Sequence, residues 1–374
     1  MNEKLLKQVA FSLIKGMNAT IARHVVEAIG NIHEFFAWET KEVLRVLDGN
    51  DVFCKMLADR KRALAAAYEE LKFIEKHNIR VISIVDEDLY PKRLAQCHDA
   101  PVNLYILGSA DLDAERILSI VGTRRATAYG VRYCSEIVED LSKTTGEVTI
   151  VSGLAYGIDS IAHEAALKCG MPTIAVLAHG LGMIYPASHR DLASRILKAG
   201  GALVSEYIHD IKPFKGRFLE RNRIVAGMSD ATFIAESPIK GGAMNTAAHA
   251  RGYDREVLAL PGRVGDMMSE GCNKLISKQV ALLAVGAKDI AEAACWKINN
   301  EDKVRTTIQP SIFNNYEGDI KTVFEYLNSQ ADPVGIDNIV CHTRIAVRDV
   351  MSAIGELDFD GVLIRHPGAK FSLM

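Results

Sequence analysis

The 374-residue chain has no CxxC pair, and its seven cysteines stand singly at Cys54, Cys97, Cys134, Cys169, Cys272, Cys295 and Cys341. An odd, scattered set argues against both a disulfide framework and a cysteine-rich zinc site, and fits a reducing cytoplasm. No apolar run approaches the ~18 residues needed to span a bilayer. The amino terminus is also not the kind that is read as a secretory signal, because Glu3, Lys7, Gln8 and Lys15 interrupt it. Charge of one sign is lacking as well: 44 Lys plus Arg face 47 Asp plus Glu, a net of −3. A polyanion would therefore have to be met by a local concentration of cations. Two phosphate-loop signatures are missing too, since neither GxGxxG nor GxxxxGK[ST] occurs. With 48% apolar and 24% charged residues, the composition is that of a globular chain of two or three domains at ~150 residues each.

The amino-terminal stretch is rich in Ala, Leu, Lys and Glu, with Val9, Leu13 and Ile14, then Ile21, Val25 and Val26, at helical spacing. Gly16 breaks one helix, and Asn18 or Thr20 can cap the next, which predicts a helical hairpin within a domain of residues 1–75. From 76 to 297 short apolar runs alternate with helical segments. The runs are 81–85, 104–108, 117–121, 149–152, 173–177, 202–205, 231–235 and 257–260; the helices are 130–142, 160–168, 188–198 and 245–251. Strands apolar on both faces predict an α/β domain, a doubly wound parallel sheet covered by helices. A polar linker is expected over 298–313. In 314–374, helices near 320–328, 336–342 and 346–357 precede two short strands around Pro367-Gly368, a pattern that suggests a winged helix.

Chemistry is expected where strands end, because ligands of open α/β sheets bind at the carboxyl ends of the strands. Val121-Gly122-Thr123-Arg124-Arg125 leads from strand to helix with two guanidinium groups, suited to phosphate. Ser152-Gly153-Leu154-Ala155-Tyr156-Gly157 forms a second such turn, and Pro238-Ile239-Lys240-Gly241-Gly242 a third. The run Lys212-Pro213-Phe214-Lys215-Gly216-Arg217-Phe218-Leu219-Glu220-Arg221-Asn222-Arg223 places five basic residues and one acid among two phenylalanines. Cations that track phosphates, interleaved with aromatics that stack bases, suit single-stranded nucleic acid. The plainer alternatives are tight βα turns for the glycines and a solvated basic helix end for the cations. Asp159 and His163, four apart on a helix, would face the same way, but no third metal ligand accompanies them, and an exposed or capping role is the stronger expectation. Cys272 has no histidine partner and is expected to pack in the core. His179 and His189 flank Tyr185-Pro186 with no assigned chemistry.

These residues occur in an ordered set: Val121-Gly122-Thr123-Arg124, Tyr129-Gly130, Ser152-Gly153-Leu154-Ala155-Tyr156-Gly157-Ile158-Asp159, Ala162-His163, Phe218, Arg221-Asn222-Arg223, Pro261-Gly262 and Gly271-Cys272-Asn273. The set, over roughly residues 80 to 285, resembles the bacterial DNA-processing DprA (Smf) family. The resemblance implies an extended Rossmann-like core between a sterile-alpha-motif-like or helix-hairpin-helix domain and a winged helix. It also implies a non-enzymatic homodimer that binds single-stranded DNA, protects it and loads the recombinase RecA in natural transformation, with no cofactor. By position, Arg124 matches the family's GSR arginine, and Arg221, Asn222 and Arg223 match its RNR. Thr123 stands for the family's serine, Leu219 for a proline, and Gly241-Gly242-Ala243 for Ser-Gly-Ser. Arg124, Lys215, Arg221, Arg223 and Lys240 are thus candidates for phosphate contacts, with Asn222 beside them. Gly153 and Gly242 are candidates for backbone donors, and Phe214 or Phe218 for base stacking. Arg124→Glu or Arg221→Glu should then weaken binding with the fold intact. The rival is a phosphoribohydrolase-like enzyme on the same core, although no glutamate follows Thr246 to serve it. A sequence-specific duplex reader would need a more basic helix than 344–357, where Arg344 and Arg348 are the only basic residues.

Overall fold

The computed structural model describes residues 2–298, apart from 48, 50 and 87, and residues 316–373, apart from 331, 332, 360, 361, 367 and 368. The linker expected over 298–313 lies, beyond its first residue, outside the described residues, as does the Pro367-Gly368 turn. Contacts divide the chain into two units, Met1–Asn299 and Asn300–Met374.

The first unit opens with helices α1 (Glu3–Leu13), α2 (Ala19–Ile29), α3 (Ile32–Ala37), α4 (Thr40–Val46), α5 (Asp51–Ala58) and α6 (Arg60–His77). Asn18 is the N-cap of α2, its side chain accepting from the Ile21 N–H at 3.0 Å. The expected hairpin is thus the start of a larger helical layer, and that layer is bonded to the sheet. The Asn103 side chain donates to the Gln8 carbonyl and the Ser12 hydroxyl, both at 3.0 Å.

The sheet contains β1 (Arg80–Ser83), then, after α7 (Lys92–Ala95), β2 (Asn103–Gly108) and β3 (Ile117–Gly122). Alternation follows: α8 (Ala128–Thr144), β4 (Thr149–Ser152), α9 (Ile158–Lys168), β5 (Thr173–Val176), α10 (Arg190–Lys198), β6 (Ala202–Ser205), α11 (Lys215–Gly227), β7 (Ala231–Glu236), α12 (Gly242–Gly252) and β8 (Glu256–Ala259). Helix α13 (Glu270–Ser277), β9 (Leu282–Leu283) and α14 (Ala287–Ala293) complete the unit. The strand order is β1-β2-β6-β5-β4-β3-β7-β8-β9.

The sheet is mixed α/β rather than wholly parallel. Strands β6 to β9 and those between them run parallel, but β2 is antiparallel to β6 and β1 antiparallel to β2. Apolar patterning records burial, not direction, and so could not show this. Chain length explains it. Only residues 109–116 join β2 to β3, with no crossover helix. Because β2 is reversed, its carboxyl end lies at the sheet edge where β3 begins. Four strand spacings, about 19 Å, can then be crossed by eight residues spanning at most ~27 Å.

The chain runs from β3 outward to β6, then returns to the other side of β3 as β7. That reversal opens a crevice at the carboxyl ends of β3 and β7. Central strands are buried throughout, as in Ile117, Leu118, Ile120 and Val121 of β3. Loops over this end therefore stand on a rigid base.

The second unit has α15 (Gly318–Asn328), β10 (Val334–Gly335), α16 (Ile336–Thr343), α17 (Val347–Phe359), β11 (Leu363–His366) and β12 (Lys370–Leu373), its strands paired antiparallel in the order β10-β12-β11. Val323, Ile339, Val350, Leu357 and Phe371 fill its own core.

Candidate nucleic-acid interface

A cavity of about 560 Å³ lies over the crevice. Its wall on one side is Gly122, Thr123 and Arg124 at and beyond the end of β3; opposite stand Pro238, Gly241 and Gly242, which lead into α12. The third side is α11, which presents Lys215, Phe218, Leu219 and Asn222, the i, i+3, i+4, i+7 face of a helix. The segment from Lys215 to Glu220 forms the first turns of this helix, with Phe214 as its N-cap.

Arg124 is exposed, and its guanidinium carbon lies 5.0 Å from the centre of the Phe218 ring. Tyr185 completes this cluster at 5.8 Å from Phe218. Tyr185 is set by His179, whose Nε2 accepts the Tyr185 N–H at 3.2 Å while Nδ1 donates to the Gly180 carbonyl at 2.9 Å. His189 is equally structural, donating to the Leu154 carbonyl at 2.9 Å. Phe214 lines the mouth and is 66% exposed, free to meet a base. Gly242 begins α12, an eleven-residue helix, and nothing lies within 4 Å of the position a Cβ would take there. Its helix terminus thus presents backbone N–H groups beside Arg124 and Lys215.

Arg221 is different from the expectation of a surface phosphate ligand. It is 3% exposed, and its Nη1 donates to the Gly153 carbonyl at 2.6 Å and to the Val176 carbonyl. One part of the group forms the cavity floor. Gly153 is not a free backbone donor either: its N–H, with that of Ala155, is directed to the Asp159 carboxylate. What Gly153 contributes is space, since a Cβ there would fall 2.1 Å from Arg221 Nη1. Asp159 and His163 are buried rather than exposed. Burial pushes the Asp159 carboxyl up, opposed by the nearby Arg221 charge. His163 is held neutral, its pKa lowered to about 3 by burial, and Nδ1 shares a hydrogen bond with Thr173 Oγ1 at 2.7 Å.

Arg223 does not reach the cavity. It points from the other side of α11, donating to the Asp99 carbonyl at 2.6 Å and pairing with Glu206. Lys240 is exposed beside the wall formed by Pro238, Gly241 and Gly242 but does not line the cavity. Asn222 lines it, its amide turned toward the Gly242 carbonyl at 3.4 Å. The structure therefore gathers Arg124, Lys215, Phe214, Phe218, Arg221, Asn222 and Gly242 at one cavity, and leaves out Gly153, Arg223 and Lys240. Tyr185 and Thr246, to which the sequence assigned no role, also line the cavity.

Carboxylates near the site are occupied. Glu236 accepts from the Thr127 N–H at 2.9 Å and hydroxyl at 2.6 Å, fixing the start of α8. Among the described residues no group of three or more His, Cys, Asp or Glu is placed to hold a metal ion. Cys272 is buried, its thiol pushed up to about 12 by burial, which makes it inert. Exposed cations and a helix terminus next to aromatic faces give the cavity the means to bind an anion.

A family model described as DNA recombination-mediator protein A matches residues 80–294, and one described as the DprA winged helix domain matches 317–369. The chain belongs to the DprA/Smf family. Protein Smf of Escherichia coli (strain K12) is 35% identical over 305 residues, 81% of this chain and 80% of that one. Protein Smf of Synechocystis is 30% identical over 97% of both chains. The X-ray structure of DprA from Streptococcus pneumoniae aligns with a TM-score of 0.66 at 28% identity, covering 80% of this chain and 99% of that one. DprA from Helicobacter pylori, whose structure is described for its single-stranded DNA binding mode, aligns with a TM-score of 0.51 at 32% identity over 58% of this chain and 95% of that one. For this member of the DprA/Smf family, no described helix is long and apolar enough to cross a membrane.

Proposed function

We propose that the chain binds single-stranded DNA in the cavity between the Arg124 loop, α11 and the start of α12, and acts without catalysis during DNA uptake. On this reading it shields the incoming strand in the cytoplasm and passes it to RecA from an extended Rossmann-like core, with the winged helix as an interaction module. The carrying observation is Arg124 lying over Phe218 beside Lys215 and the open amino terminus of α12. Two strands of a duplex would hide their base faces from Phe214 and Phe218; a single strand offers them. The similarity to the H. pylori protein and to a recombination-mediator family supports the same conclusion.

Binding of a labelled single strand and of its duplex, compared at several salt concentrations, tests it. The single strand should bind at least tenfold more tightly. Arg223 is tied to Glu206, and Arg221 is buried. That leaves Arg124 and Lys215, with Lys240 at the rim, for phosphates of a strand confined to the cavity, so log K should fall against log[salt] with a slope of about −2, at ~0.7 per contact. Equal binding of duplex and single strand would refute the proposal. Release of free base from nucleoside monophosphates would favour the phosphoribohydrolase-like alternative instead.

A homodimer fits the far edge of the sheet. Strand β9 carries Leu282 and Leu283 at 52% and 50% exposure, followed by Val285 at 58%. An apolar edge strand is a template for pairing with a second copy. Leu283→Lys should convert the dimer to a monomer in a light-scattering mass measurement, whereas an unchanged dimer mass would place the interface elsewhere.

A further inference from the structure

The sheet order β3-β7-β8 sets three carboxyl-end loops side by side. Beyond the cavity lining, the first carries Arg125, the second Ile239 and Lys240, and the third Arg263, Val264 and Met267, all of them exposed. In the third loop, residues 261–269, Val264 is fully exposed and Met267 is 67% exposed. These apolar side chains stand on a braced frame. Tyr129 donates its hydroxyl to the Pro261 carbonyl at 2.6 Å, and the Asn273 amide pairs with both backbone groups of Gly262 at 3.0 Å. The Gly271 N–H of α13 donates to the Ser237 carbonyl at 2.8 Å, which ties the helix that follows the third loop to the second loop. Met268 Sδ lies 3.8 Å from the Thr123 hydroxyl that donates to it, so the frame is continuous with the loop that holds Arg124.

We infer that the 261–269 loop is a second contact site for the single strand, where bases leaving the cavity rest on Val264 and Met267 while Arg125 and Lys240 meet the flanking phosphates. The inference rests on the function proposed above. Continuity with the cavity wall and the cations on the neighbouring loops select nucleic acid as the occupant. The loop itself selects bases rather than phosphates: Arg263 is balanced by Asp266 and outnumbered once Glu270 is counted. Its contribution is therefore apolar contact, for which a polarizable thioether and a branched alkyl group against a flat ring are suited. Because the frame is already hydrogen-bonded, little ordering remains to be done on binding.

Fluorescence polarisation with labelled oligothymidylates of about 6 and about 20 nucleotides separates the two sites, a single binding surface covering ~4–16 nucleotides. The double variant Val264→Ser/Met267→Ser should bind the longer strand about fivefold more weakly than wild type and the shorter one equally. Its salt slope should match wild type, since apolar contacts release no counterions. Wild-type affinity of the double variant for the longer strand, or an equal loss at both lengths, would overturn the inference. Arg124→Glu, measured alongside, should lose both strands; retention of both by that variant refutes the cavity reading and is recognised separately from the behaviour of the loop.

Discussion

Arg124→Glu should weaken single-strand binding by about 10- to 100-fold while leaving the melting temperature almost unchanged. The guanidinium is exposed and makes no ion pair among the described residues; it lies over the Phe218 ring and adds only a secondary charge interaction with Asp159, behind that of Arg221. Its replacement costs the fold little, in the range of ±0.5 kcal/mol typical of surface positions. Binding loses a charge-assisted contact worth about 1.5–3 kcal/mol, and every ~1.4 kcal/mol is tenfold. The introduced carboxylate would also face phosphate, and the salt slope should shrink by about 0.7 as one contact is lost. Polarisation titrations beside a thermal melt give both numbers. Undiminished affinity would move the site away from the Arg124 loop.

Arg221→Glu should behave in the opposite way, losing stability before any question of DNA arises. The reading of Arg221 as a surface ligand predicted an intact fold; its 3% exposure and its bonds to the Gly153 and Val176 carbonyls overturn that. A glutamate there would press a carboxylate against two carbonyl oxygens and leave Asp159 without the cation that opposes its burial. Disrupting a buried charge arrangement of this kind costs about 3–5 kcal/mol. At roughly 2–4 °C per kcal/mol the melting temperature should fall by about 10 °C. A melt unchanged within a degree would show that the floor of the cavity tolerates the reversal and that Arg221 faces the ligand after all.

The two arginines show what could be read in the sequence. Strand-to-helix turns bearing Gly and Arg located the rim, because backbone geometry at those turns is a local property. Helix α12 and the strands around the crevice were legible for the same reason. The roles of Arg221 and Arg223 were not: both sit in one basic run, yet they leave α11 in different directions, one into the floor and one toward Glu206. Run composition alone reads such residues as a single cationic patch. Gly153 was misread because a glycine that admits a guanidinium and a glycine that offers an amide look alike in one dimension. Strand direction was likewise hidden, since β1 and β2 bury the same residue types whichever way they run. The 20 Å-scale path of residues 109–116, set by how far a chain can reach, decided it.

Glu70 of α6 is buried, and it accepts the His209 backbone N–H at 3.1 Å and the ring Nδ1 at 2.5 Å, while the same ring stacks on Phe73 at 4.2 Å. His209 belongs to the segment between β6 and α11, five residues before Phe214. The helical layer at the amino terminus is thus a clasp on the strap that leads to the cavity mouth. Glu70→Ala would leave the sheet and the Arg124 loop in place, but the strap would be unfastened at one end. Such a variant would hold Phe214 and Lys215 less firmly, and its cost would be collected as slower capture of a strand rather than as a lost contact.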